Sequence, residues 1–326
     1  MAEAGIRADR PRLARCDQMT TYVLRRLLWV LPSLFVVFTL TFILVHATPG
    51  SPWDESDKPL PAAVKENLAR QYHLDDPLPK QYIDYLANVL RGDFGPSYRS
   101  VERSVSEIIA ATLPVSAQLG LASMLFAIVV GVPLGALAAV KHNTWIDYVS
   151  SLITVTGIAT PPFVRVSLLI VFFSLVLGWL PTGGWEGIFD SRAIIPVLAI
   201  GLGPAAILAR YTRSSLLEVH GQDFIRTARA KGLTETAVVI RHAMKNALIP
   251  VVTVAGVTLA NVITASFFVE RIYSVPGIGR QFVDSVSGRD YPLLLGIVLV
   301  FALLISLVNL LVDLSYGFLD PRIRYR

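Results

Sequence analysis

Six apolar stretches constrain this chain more than any other feature of it: Tyr22–Val45, Leu113–Val140, Trp145–Leu177, Ala193–Leu217, Ala247–Val269 and Pro292–Tyr316. A bilayer core needs about 20 apolar residues in helical conformation, and each stretch is long enough to cross it. Backbone N–H and C=O groups cannot stay unpaired in hydrocarbon, so these segments are expected to be helices rather than strands. Of the 326 residues, 53% are hydrophobic and only 16% charged, against roughly 25% charged in a soluble domain. The expected fold class is therefore all-α, a polytopic membrane protein with six transmembrane helices.

The charges between these segments orient the chain. With the N-terminus inside, one side collects Arg25, Arg26, Lys141, Arg210, Arg213, Arg226, Arg229, Lys231, Arg241, Lys245, Arg322, Arg324 and Arg326. The two short loops on the other side hold only Arg192, Arg271, Arg280 and Arg289. An excess of Lys and Arg marks the cytoplasmic face, so both termini are expected to be cytoplasmic. Residues 1–18 are polar and basic without apolar periodicity and read as a disordered cytoplasmic tail, leaving 19–326 as the membrane domain. The long outer loop, 46–112, carries two amphipathic patterns, Ala62–Tyr72 and Pro79–Leu90. The second sets Tyr82, Ile83, Leu86 and Leu90 on one face, which suggests a folded external cap.

The chemistry the sequence lacks narrows its function. No G-x-x-x-x-G-K-[ST] phosphate loop occurs, and neither H-E-x-x-H nor G-x-S-x-G is present. The single Cys16 cannot form a metal site or an internal disulfide, and no basic run with interleaved aromatics suggests nucleic acid. An ion-coupled transporter would need acids along the spans, and a membrane hydrolase would need a nucleophile with its base. The span interiors read as offering neither. Ionisable residues within a span are functional candidates, and Arg165 is the clearest, just after Thr160-Pro161-Pro162. The prolines should break or kink that helix and free carbonyls. Arg165 is then either a cationic point on a translocation path, with Thr160, Pro161 and Asn261, or an arginine satisfied by the freed carbonyls. Asn261 and Asn309 equally fit interhelical hydrogen bonding.

The most informative loop is 218–246, which reads GQDFIRTARAKGLTETAVVIRHAMKNALIP from Gly221 to Pro250. Asp223 can cap a short helix from Phe224 to Lys231, Gly232 supplies a left-handed stop, and Thr234 can cap a second helix. The expected product is an elbow, basic on one side and apolar on another through Ile225, Leu233, Val238 and Val239. On residues alone it is either a solvated positive-inside loop or a docking elbow for a cytoplasmic partner.

This loop resembles the EAA loop of ABC importer permeases, with Ala228 and Gly232 on the motif's last Ala and its Gly. Arg226 stands where the general motif has its acid and Lys245 near its Pro, and RTARAKGL followed by RHAMKNALIPV resembles the dipeptide/oligopeptide variant. The resemblance extends from Tyr22-Val23-Leu24-Arg25-Arg26 through His73-Leu74-Asp75-Asp76-Pro77 and Arg91-Gly92-Asp93-Phe94-Gly95. It continues in Phe268-Val269-Glu270, Pro276-Gly277-Ile278-Gly279, Arg289-Asp290-Tyr291-Pro292 and Leu319-Asp320-Pro321-Arg322. The resemblance implies a permease subunit in the type I ABC importer style, without an ATPase site or cofactor of its own. It also implies a cytoplasmic-membrane location, a second permease, two cytoplasmic ATPase subunits that bind ATP, and an external peptide-binding protein. Asp223, Arg226, Ala228, Lys231, Gly232, Leu233 and Arg241 would then form the ATPase-coupling loop.

Overall fold

The computed structural model describes residues 10–48, 53, 62–100 and 102–319. Among them the only extended pairing is an isolated antiparallel bridge between Pro96 and Ser104. In chain order the helices are α1 Arg10–Ala47, α2 Ala62–Gln71, α3 Leu78–Leu90, α4 Val105–Val140, α5 Trp145–Ala159 and α6 Pro162–Leu169. They continue with α7 Ile194–His220, α8 Asp223–Ala230, α9 Glu235–Ala237, α10 Met244–Tyr273, α11 Ile278–Gly288 and α12 Tyr291–Leu319. Five of the apolar helices are long enough to cross a membrane by themselves.

The third apolar segment differs. Residues Trp145–Ala159 and Pro162–Val176 form two limbs bent by 110°, the second continuing beyond α6 as a wide π-turn, Ile170–Val176. Pro161 and Pro162 lack the N–H groups that would bond the carbonyls four residues back, so the helix stops there. A limb of about 15 residues extends only about 22 Å, short of a roughly 30 Å hydrocarbon core. This segment is thus a bent pair of limbs rather than a sixth straight span.

Boundaries shift at other ends as well. α1 begins at Arg10, so residues 10–18 extend the first helix rather than forming an unstructured tail; residues 1–9 lie outside the described residues. Once a helix is nucleated, each added residue contributes a bond at little cost, and no Gly or Pro interrupts residues 12–31. α4 begins at Val105, well before Leu113, because Ser104 and Glu107 form a reciprocal capping box. The Ser104 hydroxyl accepts from the Glu107 N–H at 3.3 Å, and the Glu107 carboxylate accepts from the Ser104 N–H at 2.9 Å.

The chain divides into two compact units. One comprises Met1–Thr48 and Val298–Arg326, the other Pro49–Ile297. The second unit is built around α4 and α7, whose axes approach closely because small residues face each other. A Cβ on Gly131 would collide with the Ala205 carbonyl oxygen, and one on Gly135 with that of Ala209. Lipid is as apolar as the side chains, so close backbone packing rather than the hydrophobic effect holds such helices together. Around this crossing Leu119, Val166, Ile195, Ile200, Val262 and Tyr273 form a buried cluster joining α4, α6, α7 and α10.

Candidate functional site

The loop 218–246 folds as an elbow, with two differences from the sequence expectation. Gln222, not Asp223, occupies the N-cap of α8, and Asp223 is the first helical residue. There its carboxylate lies in the first turn, where the helix dipole favours an acid, and pairs with Arg226 at 3.5 Å. Gly232 adopts φ +78° and its N–H bonds the Arg229 carbonyl at 2.9 Å, closing the helix as a left-handed residue does. The second arm is not a separate helix: α9 passes through a π-turn, Val238–Ala243, directly into α10. Thr234 caps it, accepting from the Ala237 N–H at 3.4 Å.

One face of the elbow is buried on the body of the protein. Ile225, Ala228, Val238, Val239 and Ala243 pack with Ala139, Leu216, Val219 and Ala247. Ala228 is therefore turned inward, and Leu233 stays outside this cluster, 39% exposed. Asp223, Phe224, Arg226, Lys231, Gly232, Leu233 and Arg241 all face outward. Arg229 bridges the two arms, donating from Nε to Glu235 at 3.0 Å and from Nη2 at 2.6 Å. An apolar base with a polar, basic outer face is what a docking element requires.

Behind the elbow lies an acid that the sequence reading passed over. Asp147, in the first turn of α5, is buried and accepts from Arg213 of α7 at 2.6 and 2.8 Å, and from the Asn143 N–H at 3.0 Å. His142 Nδ1 stands 3.1 Å from the same carboxylate. The span ends therefore do contain buried acids, but this one is bidentately paired. Its signal in the sequence was an Asp beside an otherwise apolar run, with an Arg on the same side of the membrane.

At the bent segment, Thr160 and Pro161 form the bend and Arg165 lies behind it, 8% exposed. Arg165 Nη1 donates to the Gly157 carbonyl at 3.0 Å. Pro161 would have bonded that carbonyl had it carried an N–H, so Arg165 reaches one freed carbonyl, while its buried Nε has no partner among the described residues. The guanidinium also fills the space beside Gly203, where an added Cβ would come within 2.9 Å of Nη1. Asn261 is exposed on α10.

The far end of the second unit holds two more buried acids. Asp290 accepts from the Ser97 hydroxyl at 2.5 Å and from the Tyr98 N–H at 3.2 Å, clamping the loop before α4 to the start of α12. α2 and α3 lie at the expected positions, but the inward face of α3 is formed by Tyr82, Tyr85, Leu86 and Val89, while Ile83 and Leu90 point out. The Tyr85 hydroxyl donates to the Pro292 carbonyl at 3.2 Å, and burial pushes the Tyr85 and Tyr98 hydroxyls upward, keeping both protonated. Glu270, fully buried, accepts from the N–H groups of Gly279 at 2.8 Å and Arg280 at 3.2 Å. It thereby caps α11 with a carboxylate from α10.

Comparison with known proteins places this geometry. The family model described as "Binding-protein-dependent transport system inner membrane component" matches residues 131–325, and its N-terminal companion matches residues 19–120. A dipeptide transport system permease protein of Bacillus subtilis is 41% identical over 306 residues, covering 94% of this chain and 98% of its own. An oligopeptide transport system permease protein of Escherichia coli is 42% identical, covering 94% of this chain and 100% of its own. A glutathione transport system permease protein of Salmonella choleraesuis is 43% identical over the same shares. Among solved structures, an inward-facing methionine ABC transporter shares the fold, with a TM-score of 0.56 and 18% identity over 65% of this chain and 96% of its own.

Proposed function

Because this chain belongs to the binding-protein-dependent transport system inner membrane components, we propose that it is one of two membrane-spanning subunits through which an ATP-driven importer carries short peptides across the cytoplasmic membrane. The relatives named for dipeptides, oligopeptides and glutathione agree in one chemical class, a short peptide with free carboxylate. The sequence has no phosphate loop, so ATP is bound and hydrolysed by two partner subunits on the cytoplasmic face. An external binding protein delivers the peptide, and both termini of this chain are cytoplasmic, as the basic residues at the span ends indicate.

The observation that carries this reading is the elbow. Its inner side is buried on the cytoplasmic ends of α4, α7 and α10, while Phe224, Arg226, Lys231 and Leu233 are exposed. A partner that seats on that outer face moves the helices beneath it, because the two are packed as one body. Closing of the ATPases thus tilts the spans and exposes the path to alternate sides of the membrane. Purification of the chain from its native membrane tests this: two ATPases and a second permease should accompany it, with hydrolysis stimulated by a peptide-loaded binding protein. Isolation without ATPases, or hydrolysis indifferent to peptide, overturns the proposal.

A further inference from the structure

The unit made by α1 and the Val298–Leu319 part of α12 contains a polar cavity that the transport mechanism above does not use. Its volume is about 410 Å3, and it is lined by Arg25, Arg26, Trp29 and Ser33 of α1 with Ser306 and Asn309 of α12. Among the described residues the lining carries two guanidinium groups, both with partners in the protein: the Asp313 carboxylate adjoins Arg26, and Arg25 also interacts with the protein. Arg26 is held in place by Asp313 at 2.5 Å, and the Asn309 amide pairs with none of the described residues. Asn309 therefore makes no interhelical hydrogen bond to the described residues, where the sequence suggested one, and its amide lines the cavity.

The order of these groups along α1 follows a lipid from its headgroup inward. Arg25 and Arg26 stand where the polar N-terminal residues give way to the apolar run. Trp29 is one turn deeper, 67% exposed, at the level where indole rings settle between water and hydrocarbon. Ser33 is one turn deeper again, about 12 Å from Arg25 along the axis. Beside and beyond them, Leu28, Leu31 and Phe35 are exposed, a surface for an acyl chain.

We propose that this cavity binds the headgroup of an anionic phospholipid. Its phosphate would sit against Arg25 and Arg26, and its glycerol and ester oxygens would lie within reach of Trp29 and Asn309. Basic pockets between spans at the membrane boundary suit such headgroups, and a guanidinium fork matches phosphate geometry. A soluble phosphate would satisfy the arginines but leave the exposed apolar stripe without a partner, so lipid is the occupant the whole surface fits.

Native mass spectrometry of the assembled transporter, stripped of lipid and then given phosphatidylglycerol or phosphatidylcholine, tests the assignment. Phosphatidylglycerol should be retained about tenfold better than phosphatidylcholine, and Arg25→Gln should weaken its retention about tenfold. Ser306→Phe, which fills the cavity without changing charge, should have a similar effect, and co-purified subunits report that each variant assembles. Equal retention of the two lipids, or undiminished retention of phosphatidylglycerol in Arg25→Gln, overturns the proposal. So does full displacement by millimolar inorganic phosphate, which would mark a site for soluble anions. A Ser33→Cys chain lacking Cys16 that crosslinks to the second permease with no lipid bound would make the cavity a subunit interface instead.

Discussion

A Cβ at Gly232 would meet nothing within 4 Å, yet its φ of +78° still excludes most side chains. Substitution there is therefore a question of backbone strain alone. Gly232→Val should cost about 1–2 kcal/mol, too little to unfold the packed spans but enough to misdirect α8 relative to α10. Membrane insertion should stay normal while ATPase co-purification and coupled hydrolysis fall, and Gly232→Asn should retain more of both, because Asn tolerates the left-handed region. Equal behaviour of Val and Asn would show that the turn has no role in docking. Arg165 makes the opposite point. Arg165→Ala leaves the part-buried Gly157 carbonyl without its donor, a loss of about 1 kcal/mol, so the yield of folded protein should drop in fluorescence-detected chromatography. Normal yield with lost transport would restore the path reading. The Gly232 turn was legible because a Gly between two helical patterns has few other uses. The fate of Arg165 was not, since the sequence shows which carbonyls prolines free but not which donor reaches them.

The helix pair α4 and α7 illustrates what periodicity leaves out. Gly131-Val132-Pro133-Leu134-Gly135 contains a small-xxx-small spacing that was readable in the sequence, and Ala205 and Ala209 repeat it on the partner helix. Hydropathy finds both helices but cannot pair them, because every apolar helix looks alike to lipid. Gly135→Leu should force these helices apart and abolish folded, detergent-stable protein, whereas Gly178→Leu, at φ +65° but with open space around it, should cost only backbone strain of about 1–2 kcal/mol and be milder. Similar yields from the two would remove the close crossing as a determinant of the fold. The external loop was legible as two helices, but the face of α3 was misassigned by one position. Ile83 and Leu90 satisfy a hydrophobic stripe, yet Tyr85 turns the helix toward Pro292, a partner 207 residues away. Asp290→Ala should free the segment around Ser97–Arg99, read as faster external proteolysis there with unchanged membrane insertion. Unchanged cleavage would mean that the aromatic contacts of Trp53, Tyr72 and Tyr98 hold it without the carboxylate.

For the chain as a whole, orientation is an expectation drawn from its charges alone, and its only cysteine makes it testable without engineering. With both termini cytoplasmic, a membrane-impermeant maleimide should label Cys16 in inside-out vesicles and not in intact cells. Labelling from outside would invert every loop assignment.

The unbroken path from Glu235 through the π-turn to Tyr273 gives the molecule a mechanical element. Some 39 consecutive helical residues make a rod of about 58 Å. One end is the elbow's second arm, and the other carries the Glu270 carboxylate that grips the first turn of α11. Pro250 removes one backbone hydrogen bond from this path, so the helix is continuous but has a weak point about 15 residues from its elbow end. Where that point holds, a tilt of about 5° at one end displaces the other by about 5 Å, and the Glu270 carboxylate hands the movement to α11; the stiffness at Pro250 sets how much of the stroke survives the crossing.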